Sequence, residues 1–156
     1  MRAMEPKLRK ATMGDIPHLH RLVNEYASAG EMLPRSVNEL YESLRDFFVV
    51  EAQGQLVACG ACHITWDNLA EIRTMAVARD WQGRGLGGQI VQACLEEAKA
   101  LGIGQVFVLT YRPEFFARQG FREVDKATLP HKIWTECINC PKFPDCGEVA
   151  LIRSVE

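Results

Sequence analysis

The stretch Glu71-Ile-Arg-Thr-Met-Ala-Val-Ala78, followed by Gln82-Gly-Arg-Gly-Leu-Gly-Gly88 and then Gln89-Ile-Val-Gln-Ala-Cys-Leu-Glu-Glu-Ala-Lys-Ala100, decides the reading of this chain. Its first part has the composition of a strand and its last part the periodicity of a helix. Between them, Gly83, Gly85, Gly87 and Gly88 let the backbone come close to a ligand. A helix that starts directly after such a loop leaves its first N–H groups without internal partners and aims them outward. That combination holds anions, and Arg84 adds a fixed positive charge. The expected guest is a pyrophosphate.

Two patterns overlap in the loop. Gly83-x-Gly85-x-x-Gly88 has the dinucleotide spacing, which also needs an acidic residue about 20 positions on, at the end of the next strand. That strand, Gln105-Val-Phe-Val-Leu-Thr110, ends without a carboxylate. The other pattern is Gln82-x-x-Gly85-x-Gly87, with Ala70-Glu71-Ile72 opening the preceding strand and Met75-Ala76-Val77 closing it. Phe116-Ala-Arg-Gln-Gly120-Phe121 follows at natural spacing. Together these resemble the GNAT N-acetyltransferase superfamily.

The resemblance implies acetyl-CoA as co-substrate. Gln82, Gly83, Arg84, Gly85, Leu86, Gly87 and Gly88 would hold its pyrophosphate, the strand edge at Met75, Ala76 and Val77 its pantetheine, and Phe116 would lie against it. It also implies the GNAT acyl-CoA N-acyltransferase fold, an α/β fold with a mixed, mostly antiparallel sheet of about seven strands flanked by helices. Strands four and five are expected to splay apart.

Composition fits one domain spanning residues 1–156, with 47% hydrophobic and 24% charged residues. A formal net charge of −2 argues against non-specific nucleic-acid binding, which needs an excess of Lys and Arg. The longest apolar runs, such as Leu56 to Cys62, are far shorter than a membrane span, and Met1 to Lys10 lacks the apolar centre of a signal peptide. A cytoplasmic protein with a small-molecule substrate is expected, without nucleic acid or membrane. A homodimer is left open.

Along the chain, Lys7 to Thr12 reads as the first strand. Thr12 or Asp15 then caps a helix starting near Ile16-Pro17, with Ile16, Leu19, Leu22, Val23 and Tyr26 facing inward and Gly30 ending it. Ser36 caps a second helix with apolar positions at Val37, Leu40, Tyr41 and Leu44. Asp46 to Glu51 and Gln55 to Trp66 form a hairpin around Ala52-Gln53-Gly54. In the fourth strand, simple alternation puts Glu71, Arg73, Met75 and Val77 on one face and Ile72, Thr74 and Ala76 on the other. Leu101-Gly102 ends the helix after the glycine loop, and a short helix covers Pro113 to Arg118. Phe121 to Val124 and Val149 to Arg153 are the last strands, with an irregular segment between them.

Acetyl transfer to an amine needs a proton acceptor, a donor for the thioester carbonyl and an exit for the thiolate. Glu71 stands where the family carries a strand-four glutamate base, and a backbone N–H near Met75 to Val77 would polarise the carbonyl. The family tyrosine that serves the thiolate is replaced by Phe116, so either the thiolate leaves without a protein acid, as an ordinary thiol pKa allows, or Tyr111 substitutes from the end of strand five. Arg35, Arg73 and Arg112 are placed to hold carboxylates, which arginine binds bidentately, and Lys132 lies in the late loop.

Leu33-Pro-Arg-Ser36, Asp46-Phe-Phe-Val-Val50, Ala70-Glu-Ile-Arg73, Phe107-Val-Leu-Thr-Tyr-Arg112 and Leu129-Pro-His-Lys132 are similar to the acetyltransferase domain of bacterial N-acetylglutamate synthases. This closer resemblance implies acetyl transfer to the α-amino group of L-glutamate, the entry to arginine biosynthesis, in a short stand-alone form. Two other readings stay open: an acetyltransferase for another amino acid or amine, and a non-catalytic acetyl-CoA sensor.

Cys137-x-x-Cys140 with Cys146 has the spacing of a metal knuckle, but a structural zinc wants ligands in two pairs. Cys59 and Cys62 fall on opposite faces of a strand. No metal is expected.

Overall fold

The computed structural model describes residues 5–28, 35–129 and 148–155. The described residues form seven strands, β1 (Lys7–Lys10), β2 (Phe47–Ala52), β3 (Gln55–Trp66), β4 (Leu69–Val77), β5 (Gln105–Thr110), β6 (Arg122–Val124) and β7 (Val149–Ser154), and four α-helices. The helices are α1 (Ile16–Ser28), α2 (Val37–Glu42), α3 (Leu86–Ala100) and α4 (Pro113–Arg118). The strands form one sheet in the order β1-β2-β3-β4-β5-β7-β6. β4 and β5 run parallel, and the other neighbouring pairs are antiparallel. α3 makes the long crossover that a parallel pair requires.

The local signals are carried out in detail. Gln53 and Gly54 both have positive φ, 54° and 75°, the conformation of a two-residue hairpin turn whose twist matches its strands. Ser36 Oγ accepts the Glu39 N–H, and the Glu39 carboxylate accepts the Ser36 N–H, which closes a capping box on α2. At the end of α3, Gly102 takes φ +83°. Thr12 is drawn out of the first strand by a bond from its N–H to Asp15 Oδ2, so β1 stops at Lys10. Gly30 lies outside the described residues, as do Lys132, His131, Cys137, Cys140 and Cys146.

Alternate residues of each strand feed two layers. Phe47, Val49, Cys59, Ala61 and Ala76 pack against Ile16, Leu19, Leu22 and Val23 of α1 and Leu40 of α2. Val50, Ala58, Cys62, Ala70, Ile72, Val106 and Val108 pack against α3 on the other face. Leu86, Ile90, Val91 and Leu95 of α3 are buried, each contributing roughly 1.5–3 kcal/mol relative to exposure. Leu86 directly follows the glycine loop, so burial of α3 also fixes the loop. Val37 and Tyr41 are 42% and 45% exposed, contrary to the apolar face expected there. A helix of six residues reaches the core through one side chain, Leu40.

A third cluster, Leu69, Phe107, Leu129 and Ala150, lies on the same face as α1. The face is therefore apolar at both sides, with polar residues between.

β4 departs from the expected alternation. Ala61 pairs with Arg73 and Cys59 with Ala76, so three steps along β4 match two along β3. The extra residue is a bulge, and Thr74 there has φ +57°. The bulge reverses parity. Glu71 and Arg73 lie opposite Ala70 and Ile72, which face α3, whereas Met75 and Val77 themselves pack on the α3 side. The four do not share a face.

Candidate active site

The β4–β5 ladder runs only from Leu69 with Gln105 to Ile72 with Val108, although β4 continues to Val77 and β5 to Thr110. The strands thus part after Ile72, as the splay expected from the sequence requires. Ala78 donates its N–H to Val57 O on β3. Since successive peptides of a strand point to opposite edges, Val77 and Met75 turn their N–H groups towards the gap.

The bulge is held from below. Burial pushes the Cys59 thiol up to about 12, so it remains an S–H donor at neutral pH, bonding Thr74 O at 3.4 Å. Ala76 pairs with Cys59 across the β3–β4 ladder. Gly60 sits opposite, where a Cβ would come within 2.5 Å of Ile90 Cγ2.

At the open end of the gap, the Tyr26 hydroxyl donates to Val77 O, accepts the Val77 N–H at 3.3 Å and accepts Gln82 Nε2 at 2.6 Å. Gln82 Nε2 also reaches Val77 O at 3.2 Å. The sequence marked Tyr26 only as an inward position, and its hydroxyl role was missed. The glycine loop follows. Gly83 and Gly85 have φ +77° and +81°, and Gly85 is the N-cap of α3 with no side-chain cap. Arg84 stacks its guanidinium 4.5 Å over the Trp81 ring. A Cβ on Gly87 would meet the Phe115 ring at 3.1 Å, and one on Gly88 the Gln119 amide at 3.4 Å. Phe116 is buried in the core, with edge-to-face contacts to Phe115 and Phe121.

On the α1 face, Glu71 is only 8% exposed. Arg73 donates to Glu71 Oε1 through Nε at 3.1 Å and Nη2 at 2.8 Å. A cavity of about 220 Å³ opens beside this pair, lined by Arg35, Arg73, Thr74, Asp46, His63 and Glu39 among others. Arg35 reaches Glu39 at 3.4 Å across the rim. The structure therefore brings together Arg35 and Arg73, with Glu71 paired to the latter. Tyr111 and Arg112 follow β5 and are exposed, and neither lines this cavity. His63 and Asp46 were not singled out in the sequence, because only the β3–β4 register and the turn before β2 bring them to the pocket. Among the described residues, no group of His, Cys, Asp and Glu has the arrangement of a metal site, and no helix is long and apolar enough to cross a membrane.

An open strand edge that leads to an uncapped helix N-terminus, beside a pocket with a buried acid–base pair, is the architecture of an acyltransferase. Residues 16–121 match the acetyltransferase (GNAT) family, and the chain belongs to it. It is 37% identical, over 99% of its length and 100% of the relative, to an uncharacterised N-acetyltransferase of Chlorobaculum tepidum. It is 38% identical to an amino-acid acetyltransferase of Mycobacterium tuberculosis, over 86% of this chain and 79% of that one. Among solved structures, N-acetylglutamate synthase from Neisseria gonorrhoeae, complexed with coenzyme A and N-acetyl-glutamate, superposes with a TM-score of 0.89 at 26% identity. That match covers 97% of this chain and 35% of the synthase.

Proposed function

We propose that this protein transfers acetyl from acetyl-CoA to the α-amino group of L-glutamate, as a cytoplasmic enzyme at the entry to arginine biosynthesis. The observation that carries the reading is the buried Glu71–Arg73 pair beside a cavity that also receives Arg35. The likeness to the N-acetylglutamate synthase structure and to amino-acid acetyltransferases supports it. The formal net charge of −2 suits a small-molecule acceptor better than a nucleic acid.

The α3 N-terminus, Gly83 to Gly88 and Arg84 fit the pyrophosphate of acetyl-CoA, which supplies the acyl thioester when bound. Met75 and Val77 offer peptide groups along its pantetheine arm. Because Ala76 pairs with Cys59 in the β3 ladder and Val77 N–H is engaged by Tyr26, the donor to the acyl oxygen falls to Met75. Glu71 accepts the proton of the attacking amine, and Arg73 and Arg35 hold carboxylate and orient the acceptor. Tyr111, at the end of β5, is assigned to the departing thiolate, and Arg112 to the outer carboxylate.

Glu39, Glu42 and Asp46 on the cavity rim favour a second reading, in which the acceptor is a neutral amino acid. One assay separates the two: purified protein with acetyl-CoA and each common amino acid in turn, following thiol release. L-Glutamate is expected to give turnover, Glu71→Gln to lower kcat at least ~100-fold, and Arg35→Ala to raise KM for glutamate. Turnover with a neutral amino acid and none with glutamate would replace the acceptor and keep the mechanism.

A further inference from the structure

His63 stands directly across from Glu71 in the antiparallel β3–β4 register. Side chains so opposed have Cβ atoms about 4.5–5.5 Å apart and share a face. Before the bulge this face is the α1 side, and His63 accordingly lines the same cavity as Arg35 and Arg73. Its Nδ1 lies 2.8 Å from Asp46 Oδ2. A carboxylate accepts hydrogen bonds, so Asp46 fixes the ring proton on Nδ1 and leaves Nε2 as the basic atom. The His63 side chain is 35% exposed, while Glu71 is 8% exposed.

We propose that His63, held by Asp46, is the relay that carries the substrate proton from Glu71 out of the cleft to solvent. The inference rests on the acetyl-transfer reading above. In that reaction an α-ammonium group loses two protons: the N–C bond forms, the C–S bond of the thioester breaks, one proton ends on sulfur and one is released. Glu71 takes the released proton, and it must shed it before another turnover. At 8% exposure and engaged by Arg73, Glu71 has little direct contact with solvent. The imidazole across the strand pair is about a third exposed, lines the cavity beside the Glu71–Arg73 pair, and belongs to the side chain that exchanges protons most readily near neutrality. The charged groups around the ring are Asp46 from the turn before β2, Glu39 and Glu42 of α2, Arg35 ahead of α2, and Glu71 and Arg73 of β4.

The test uses the full chain and whichever amino acid gives turnover, with kcat and both KM values measured from about pH 5 to 9. His63→Ala and His63→Gln are each expected to lower kcat ~100-fold, leave both KM values unchanged and abolish the limb of the pH profile assigned to imidazole. Added imidazole is expected to restore His63→Ala, whose shortened side chain leaves room for it, and not His63→Gln. Asp46→Asn is expected to shift that limb while retaining more activity than either His63 variant. Unchanged kcat and pH profile in His63→Ala, a loss confined to KM for the amino acid, or failure of imidazole rescue would each overturn the relay while leaving acetyl transfer intact. A wild-type protein that releases no thiol with any amino acid would overturn both the relay and the reading beneath it.

Discussion

Arg9 shows how much of this fold depends on single polar contacts. It donates to both Asp15 oxygens, at 2.7 and 2.9 Å, and to Glu51 at 3.1 Å, tying β1, β2 and the turn before α1. The Arg9 guanidinium holds the Asp15 carboxyl below the usual carboxylate range, helped by the Thr12 N–H against the cost of burial. A depressed carboxyl pKa contributes stability above its unfolded value and loses it as pH falls through the folded one. Asp15→Asn is therefore expected to cost about 2 kcal/mol at pH 7. The gap to wild type should close as pH drops through and below the ordinary Asp value. Denaturant unfolding at a series of pH values measures it, and a pH-independent gap would contradict the assignment. Residues of this kind were half legible in the sequence: Asp15 was marked as a cap, while its partner Arg9 comes from a strand that only the fold brings alongside. His63 and Asp46, 17 residues apart, were not legible at all.

At the scale of elements, the order of strands and helices followed from local signals such as Ser36, Gln53-Gly54 and Gly102, each of which acts through its own backbone conformation. The bulge in β4 had no such signal. Bulges of this type favour glycine at the left-handed position, yet Thr74 occupies it. Its support comes from Cys59 and Gly60 on a neighbouring strand, so no pattern within β4 announces it. Strict alternation consequently misplaced Met75 and Val77. Tyr26 was likewise identified as a helix position but not as a cover for the strand edge. Because its hydroxyl satisfies both peptide groups of Val77, a pantetheine amide must displace it to pair there. Tyr26→Phe removes the competitor and is expected to tighten coenzyme A binding about fivefold, equivalent to one net hydrogen bond of ~1 kcal/mol. Titration calorimetry decides it, and weaker binding would show that the hydroxyl supports the ligand instead.

Across the whole molecule, α3 and β4 must stay in close register, because the glycine loop is carried by one and the open edge by the other. Gly60 of β3, the strand that pairs with β4, lies directly under α3, with Ile90 Cγ2 2.5 Å and Met75 Cγ of β4 3.4 Å from the place a Cβ would take. Gly60→Ala is expected to cost ~1–3 kcal/mol through overpacking, lowering Tm by several degrees for a chain of this size. Gly54→Ala, with nothing within 4 Å of its added Cβ but φ +75°, tests backbone strain alone and separates the two effects in the same thermal scan. The mixed sheet and the splay were legible because the motifs at β4, the glycine loop and Phe116 to Phe121 carry the family resemblance that implies them. Tyr111 and Arg112 follow the end of β5, beyond the stretch paired with β4, and the cavity beside Arg73 is lined without them.

The parity change in β4 also bears on how such a chain diversifies. On the reading proposed here, the strand serves the acceptor before Thr74 through side chains, and the donor after it through peptide groups that any sequence supplies. Substitutions at Arg73 can therefore retune which amine is acetylated while the donor contacts persist unaltered. One extra residue separates the part of the strand that is free to evolve from the part that is not.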